Sequence, residues 1–425
     1  MRKLYTALVF LALPFLPLRL WWRGRKEPGY REHIGERFGR YAGAPAARAP
    51  VLWIHAVSLG ETRTCVPLVL HAQRSYPTAT ILVTHMTATG RAAGKSLFGE
   101  RVVQAWLPYD APFAVRAFLA HWKPAAGLIM ETELWPNLIA LSSGAKIPLF
   151  LVNARLSARS AAGYARVPLL AKSMLVALTG VAAQTDADAA RLAALGARAP
   201  VVVGNLKFDV ETPPGMQALG RKFTVLFGAQ RQIFVAASTR DGEEALIADA
   251  LLARALPANT LTVIVPRHPQ RFDVVANLLR ARGVPFVRRS DNVAVPNDVR
   301  VVLGDSMGEL GAYYAAANVA FVGGSLLPLG GQNLIEAIAA GCPTLVGPHT
   351  FNFAEATRSA IAAGAALEVT DAPTLIAAVA ALLDDPARRE RMAASAHAFH
   401  RAHRGAGDRL WAWLEERLPA ALKQA

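Results

Sequence analysis

VLWIHAVSLGET, residues 51–62, is an apolar run that stops at a glycine and passes into RTCVPLVLHAQRS, residues 63–75, which reads as a helix. A glycine turn between a strand and a helix usually receives a phosphate, because free N–H groups and the helix dipole favour an anion there. This chain puts its own carboxylate, Glu61, at that turn. The strand–turn–helix reading sets the fold class, and the carboxylate raises the chemical question.

The pattern repeats outward from this stretch. ATILVTHM, VVQAWLP, GLIMETE, IPLFLVNA, GVAAQT and PVVVGN are short apolar runs with helical, Ala- and Leu-rich segments between most of them. Such runs suit parallel strands covered on both faces, and the alternation predicts a doubly wound α/β sheet. The pattern pauses at KFDVETPPGMQALGRKF, residues 207–223, where two prolines and a glycine suggest an interdomain connection. It restarts with RQIFVAAST, TLTVIVPRH, VRVVLGDS, VAFVGGS and PTLVGPHT. The expected organisation is an apolar N-terminal helix over 1–22, a first domain over 23–206 and a linker over 207–230. A second domain over 231–407 and a closing amphipathic helix over 408–425 complete it.

The 425 residues carry a net charge of +15, with 53% hydrophobic and 18% charged side chains. That composition excludes a disordered chain and favours anionic partners. No RNA-binding signature or helix-turn-helix pattern accompanies the charge, so nucleic acid is not an expected partner. Cys65 and Cys342 give no disulfide framework and suit a reducing compartment. In the first residues, MRKLYTALVFLALPFLPLRLWW, the uncharged run Leu4 to Leu18 would make a helix of about 22 Å, short of a ~30 Å hydrocarbon core. Bulky RLWW follows where a cleaved signal would have small residues. The basic stretch RGRKEPGYREHIGERFGR comes next. We read an uncleaved membrane anchor, spanning or interfacial, with its C-terminal side cytoplasmic.

In parallel sheets ligands bind beyond the carboxyl ends of the strands. In the first half the polar residues there are Ser58 and Glu61, His85 and Thr87, Glu131 and Glu133, Asn153 and Arg155, and Asn205 and Lys207. Any one alone reads more simply as a cap; together they bring carboxylates and a lysine to one edge. In the second half the strand ends supply Pro266, Arg267 and His268 of PRHPQR, and Met307, Gly308 and Glu309 of GDSMGEL. GGSLLPLGGQNLIEA adds Asn333, Leu334, Ile335 and Glu336. Arg267 and His268 can meet a phosphate, and a helix beginning near Asn333 offers N–H groups to an anion. Glu336 suits ribose hydroxyls. The glycines form neither a Walker A loop nor the dinucleotide fingerprint GxGxxG, which counts against a dinucleotide-binding oxidoreductase. Asp186 and Asp188 of TDAD look like a metal-binding Asp-x-Asp but fit a helix start. His397, His400 and His403 lack an evident acidic or cysteine partner, so no metal site is expected from either group.

Together these motifs resemble the 3-deoxy-D-manno-octulosonic acid (Kdo) transferases of lipopolysaccharide synthesis. The resemblance runs from RGRKEPGYREHIGERFG through HAVSLGET, LIMETELWPN, NARLSARSAAGYA, NLKFD, VPRHPQRF, GDSMGEL, FVGGSL and GGQN to GPHTFNF, almost the whole chain. It implies two Rossmann-like domains with a cleft between them, the GT-B architecture. It implies an inverting transfer of Kdo from CMP-Kdo to a lipid A precursor, lipid IVA, with no metal and no cofactor beyond the donor. It also implies attachment to the cytoplasmic face of the inner membrane, whose anionic surface suits the positive charge. Carried over by position, Glu61 resembles the general base, and Glu131 and Lys207 the groups supporting the transition state. Pro266 to Arg267, Met307 to Glu309 and Asn333 to Glu336 resemble the CMP-binding segments. Gln332 departs from the pattern, since some relatives have histidine there. The alternative is another GT-B nucleotide-sugar transferase acting on a different membrane lipid. The helix dipole would favour an ionised Glu61 by ~0.3–1 kcal/mol, while burial and neighbouring carboxylates oppose it.

Overall fold

The computed structural model describes residues 1–41, 50–209 and 215–423. The chain divides into two compact units, Met1–Val210 with Arg404–Ala425, and Glu211–His403. The first unit holds a parallel sheet of β1 (Val51–His55), β2 (Thr80–His85), β3 (Val103–Trp106), β4 (Pro124–Met130), β5 (Leu149–Ala154), β6 (Gly180–Ala183) and β7 (Val201–Val202). Its order is β3-β2-β1-β4-β5-β6-β7. The chain steps from β1 outward to β3, then returns to place β4 on the other side of β1. His55, the last residue of β1, pairs with Thr84 on one side and Ile129 on the other, so the three strands end level.

Successive side chains of a strand point to opposite faces. Leu52 and Ile54 therefore enter one core and Val51 and Trp53 the other, all buried. This is why the runs lack polar alternation: both faces are covered. The core around Leu52 is closed by Leu410, Trp411, Leu414, Leu418 and Leu422. The C-terminal segment expected as a separate helix after the second domain thus belongs to the first unit. Its apolar stripe covers a sheet face, and Asp209 fastens its start by accepting from Gly405 N and Gly407 N.

The second unit holds β8 (Gln232–Thr239), β9 (Thr260–Pro266), β10 (Phe286–Arg288), β11 (Val301–Leu303), β12 (Val319–Val322), β13 (Thr344–Val346) and β14 (Ala366–Glu368). They form a parallel sheet in the order β10-β11-β9-β8-β12-β13-β14. β10 and β14, the two edges, are strands that the sequence pattern does not announce. The expected linker over 207–230 is also corrected. Leu206–Asp209 is a short 3-10 turn within the first unit, and Met216–Phe227 is a helix of the second. That helix buries Phe223 and Phe227 and fits Gly220 closely against Ala315 and the Ala312 carbonyl. Residues 210–214 of the expected linker lie outside the described residues.

Among the described residues one helix, Arg2–Arg23, is long and apolar enough to cross a membrane, and of its side chains only Leu20 is fully buried. It is continuous through a 3-10 turn at Leu13–Phe15 that carries Pro14.

Candidate active site

β1 and β4 diverge at the point where the strand order of the first unit reverses. Glu61 follows β1 and Glu131 follows β4, so both carboxylates stand at that switch point, where such sheets bind ligands. Ser58 caps the helix Leu59–Thr64 by accepting from Glu61 N. Glu61 answers: its carboxylate accepts from Val57 N and from Ser58 Oγ, both at 2.9 Å. Glu131 has a left-handed backbone, φ 56°, which costs a non-glycine residue on the order of 1 kcal/mol or more. Its N–H still reaches Val152 O at 3.0 Å. The strand ladder therefore runs to the very residue whose side chain turns into the site.

Lys207 Nζ sits 3.2 Å from Glu131 Oε1, with both side chains mostly buried. Two asparagines set the lysine's turn: Asn153 Oδ1 accepts from Leu206 N at 3.1 Å and Asn205 Oδ1 from Lys207 N at 3.0 Å. Burial and then the charge of Glu131 push the Glu61 carboxyl up to about 7, against the lowering hydrogen bonds from Val57 and Ser58; Glu133 adds to the rise. The expected stabilisation of the ion by its helix terminus is thus outweighed. Burial also raises Glu133 above the usual carboxylate range, with Glu131 adding to the effect.

The other strand-end groups of this sheet have supporting places. His85 is buried, its Nδ1 3.0 Å from Ala56 O and its Nε2 3.0 Å from the Gln104 amide. Burial pushes it down to about 4, so it is neutral. Thr87 caps the helix Ala88–Phe98 and donates to Val57 O, tying that helix to the Glu61 turn. Arg155 is half-buried beyond β5. Asp188 accepts from Leu156 N at 2.8 Å and from Thr185 Oγ1 at 2.6 Å, the helix-start role expected for TDAD.

In the second unit the equivalent switch point lies between β8 and β12. Sequence patterns do not single out its carboxylate, Glu243, which is fully buried. Glu243 accepts from Gly324 N at 2.6 Å, Ser325 N at 2.9 Å and Leu326 N at 3.0 Å, and from Arg240 N at 2.9 Å. A Cβ on Gly323 would stand 2.7 Å from Ser238 O, so only glycine lets the two strand ends approach this closely. The next residue along, Glu244, also fully buried, takes Arg271 Nη2 at 3.0 Å.

Arg267 Nε donates to Gln332 Oε1 at 3.1 Å, which makes Gln332 the arginine's support. Partial desolvation and the cations Arg240, Arg267 and Arg271 push His268 below its usual range. As a neutral ring it offers an anion a hydrogen bond but no charge. The helix expected near Asn333 begins at Ile335 and runs only to Ala339. Asn333 Oδ1 takes Ile335 N at 3.2 Å and its Nδ2 donates to Glu336 Oε1 at 3.0 Å, so that N–H is already engaged. Leu334 and Ile335 turn their side chains into the core, leaving only backbone for a ligand, and Pro266 is likewise buried. Met307 is exposed, Gly308 takes φ 79°, and Glu309 pairs with Arg289 at 3.1 Å. His403 Nδ1 lies 2.8 Å from Phe399 O, and Gly341 packs against the ring of His397.

Two parallel-sheet units with ligand positions at their strand ends define the two-Rossmann-domain architecture. The family "3-Deoxy-D-manno-octulosonic-acid transferase" matches residues 32–210, and "Glycosyl transferases group 1" matches residues 284–399. The chain is 46% identical to the 3-deoxy-D-manno-octulosonic acid transferase of Bordetella pertussis, over 98% of this chain and 99% of that one. It is 38% identical to the enzyme of that name from Haemophilus influenzae, over 96% and 97%. A solved UDP-GlcNAc 2-epimerase from Neisseria meningitidis, at 16% identity, shares the fold with a TM-score of 0.59 over 87% of this chain and all of that one. The chain belongs to the Kdo transferase family.

Proposed function

We propose that this glycosyltransferase moves Kdo from CMP-Kdo to a lipid A precursor such as lipid IVA, with inversion, using Glu61 as general base. The observation that carries the reading is the Glu61 carboxyl itself, which feels the charge of Glu131 at a ligand-binding switch point and is pushed up to about 7 by burial and then by that charge. A base is most effective when its pKa lies near the working pH, because it is then both ionised and basic enough to accept a proton.

The acceptor hydroxyl attacks the anomeric carbon of Kdo and gives its proton to Glu61. The bond from that carbon to the CMP phosphate oxygen breaks, and the electron pair leaves with CMP. Lys207 holds Glu131 in place and brings positive charge to the first unit's switch point. On the donor side Arg267, with Arg240 also close to His268, offers positive charge to the phosphate, and Glu336 accepts from ribose. The step needs no metal in this reading, and both carboxylate oxygens of Asp188 are already occupied by protein donors. The enzyme works at the cytoplasmic face of the inner membrane, held there by its apolar N-terminal helix. Product mass spectrometry with CMP-Kdo and a tetra-acylated lipid A precursor tests the reading. A mass gain of one or more Kdo units, undiminished by EDTA, is expected; no gain, or a strict need for a divalent ion, would overturn it.

A further inference from the structure

The apolar helix Arg2–Arg23 has two unlike sides. Leu4, Leu8, Leu11, Phe15, Leu18 and Trp22 recur every three or four residues and are between 58% and 70% exposed. A strip at this spacing lies along one face of a helix. The opposite face is turned to the first unit: Tyr5, Thr6, Val9, Leu13 and Leu16 are half-covered and Leu20 is buried.

The covered face is fastened at both ends and between. Thr6 Oγ1 donates to Asn137 Oδ1 at 3.0 Å, and Tyr5 hydrogen-bonds Asp110. Phe10 stacks with Phe113, ring centroids 6.2 Å apart. Beyond Leu20, Arg31 Nη2 donates to Trp21 O at 2.9 Å. From Thr6 to Leu20 the axis runs about 21 Å, so the helix lies along the domain for most of its length. A spanning helix would need lipid on every side and would have to break each of these contacts.

The uncovered strip needs an apolar partner, and the surrounding charge says which. No acidic residue precedes Glu27, while Arg2, Lys3, Arg19, Arg25 and Lys26 are exposed around the strip. Apolar residues on one side, flanking cations and a Trp pair at one end are what a bilayer interface with anionic headgroups accepts.

We propose that residues 2–23 form an in-plane membrane helix, with the strip Leu4 to Trp22 in the interfacial layer of an anionic bilayer and the other face still packed on the first unit. The proposal rests on the membrane attachment read above and adds its geometry. It also brings the bilayer to the proposed acceptor site. Asp110, which holds Tyr5, accepts from Asn137 N and Leu138 N at 2.9 and 2.7 Å and so fixes the helix start that follows Glu131 and Glu133.

The test uses the full chain with Lys3→Cys, since the native Cys65 and Cys342 are buried. A membrane-impermeant maleimide should label the variant in inverted inner-membrane vesicles and not in intact spheroplasts. Labelling in spheroplasts would mean that the N-terminus crosses, overturning the in-plane geometry while leaving attachment intact. Absence from the membrane fraction would overturn attachment as well; dimers in sedimentation would then assign the strip to a second copy. As a separate check, Leu11→Glu with Phe15→Glu should weaken binding to phosphatidylglycerol-containing vesicles about tenfold or more and leave CMP affinity unchanged. Undiminished vesicle binding would overturn the proposal.

Discussion

The two units place a glutamate at the same topological position and treat it in opposite ways. Glu243, after β8, is sealed among four backbone N–H donors. Glu61, after β1, receives one N–H and one hydroxyl, is largely but not fully buried, and faces the charge of Glu131. A carboxylate whose acceptor sites are filled by fixed donors holds a fold together and has nothing left for a substrate. One with few donors and a like charge nearby stays reactive. The glycines follow the same division: Gly323 and Gly324 let β12 close on Glu243, whereas β4 brings the strained, charged Glu131 to Glu61.

Substitutions can break this contrast. The largest effect is expected for Glu61→Gln, which keeps the shape but removes the base. Turnover should fall by roughly 10²–10⁴-fold with CMP affinity and melting temperature nearly unchanged; near-normal turnover would remove Glu61 from the chemistry. Glu243→Ala should do the reverse. It leaves several buried N–H groups unpaired at about 1–3 kcal/mol each, so the second unit should melt many degrees lower, seen by calorimetry. A melting temperature within a degree or two of the parent would contradict the sealed reading.

Arg267→Ala should weaken CMP binding by about 1.5–3 kcal/mol, measured by titration calorimetry, through loss of a charge-assisted hydrogen bond. Unchanged affinity would place the phosphate elsewhere. The smallest effects are shifts along the pH axis. Glu131→Gln removes a neighbouring negative charge, so the acid limb of kcat/KM should move down by up to about one pH unit. Lys207→Met leaves Glu131 without its cation, so the limb should move up. Shifts of the same sign would break the proposed coupling.

Much of this was legible in sequence. β1, β2, β4 through β6, β8, β9 and β11 through β13 are apolar runs buried on both sides, and burial on both sides is what removes alternation; β3 and β7, the edges of the first sheet, are partly exposed. β10 and β14 were not legible, because a three-residue edge strand such as Phe286–Arg288 needs only its neighbour's ladder, not an apolar run. The C-terminal helix was visible as amphipathic, but which sheet it covers depends on the uncovered face around Leu52, a tertiary fact. Glu61, Glu131 and Lys207 stand at strand ends, and the chain does bring Glu131 and Lys207 into contact. Glu243 was missed because STRDGEE reads as a solvated turn; its burial comes from the GGS segment at the neighbouring strand end. The Glu61 balance could not be read at all, since both dipole and burial act on one group and only packing ranks them.

The most direct measurement is the ionisation of Glu61 itself, followed by carbon NMR of side-chain-labelled glutamate, with Glu61→Gln to assign the signal. A carboxyl titrating near 7, and absent from the variant, is the result predicted. A Glu61 that titrates near the ordinary 4.5 would contradict the claim that this switch point keeps its carboxylate poised as a base.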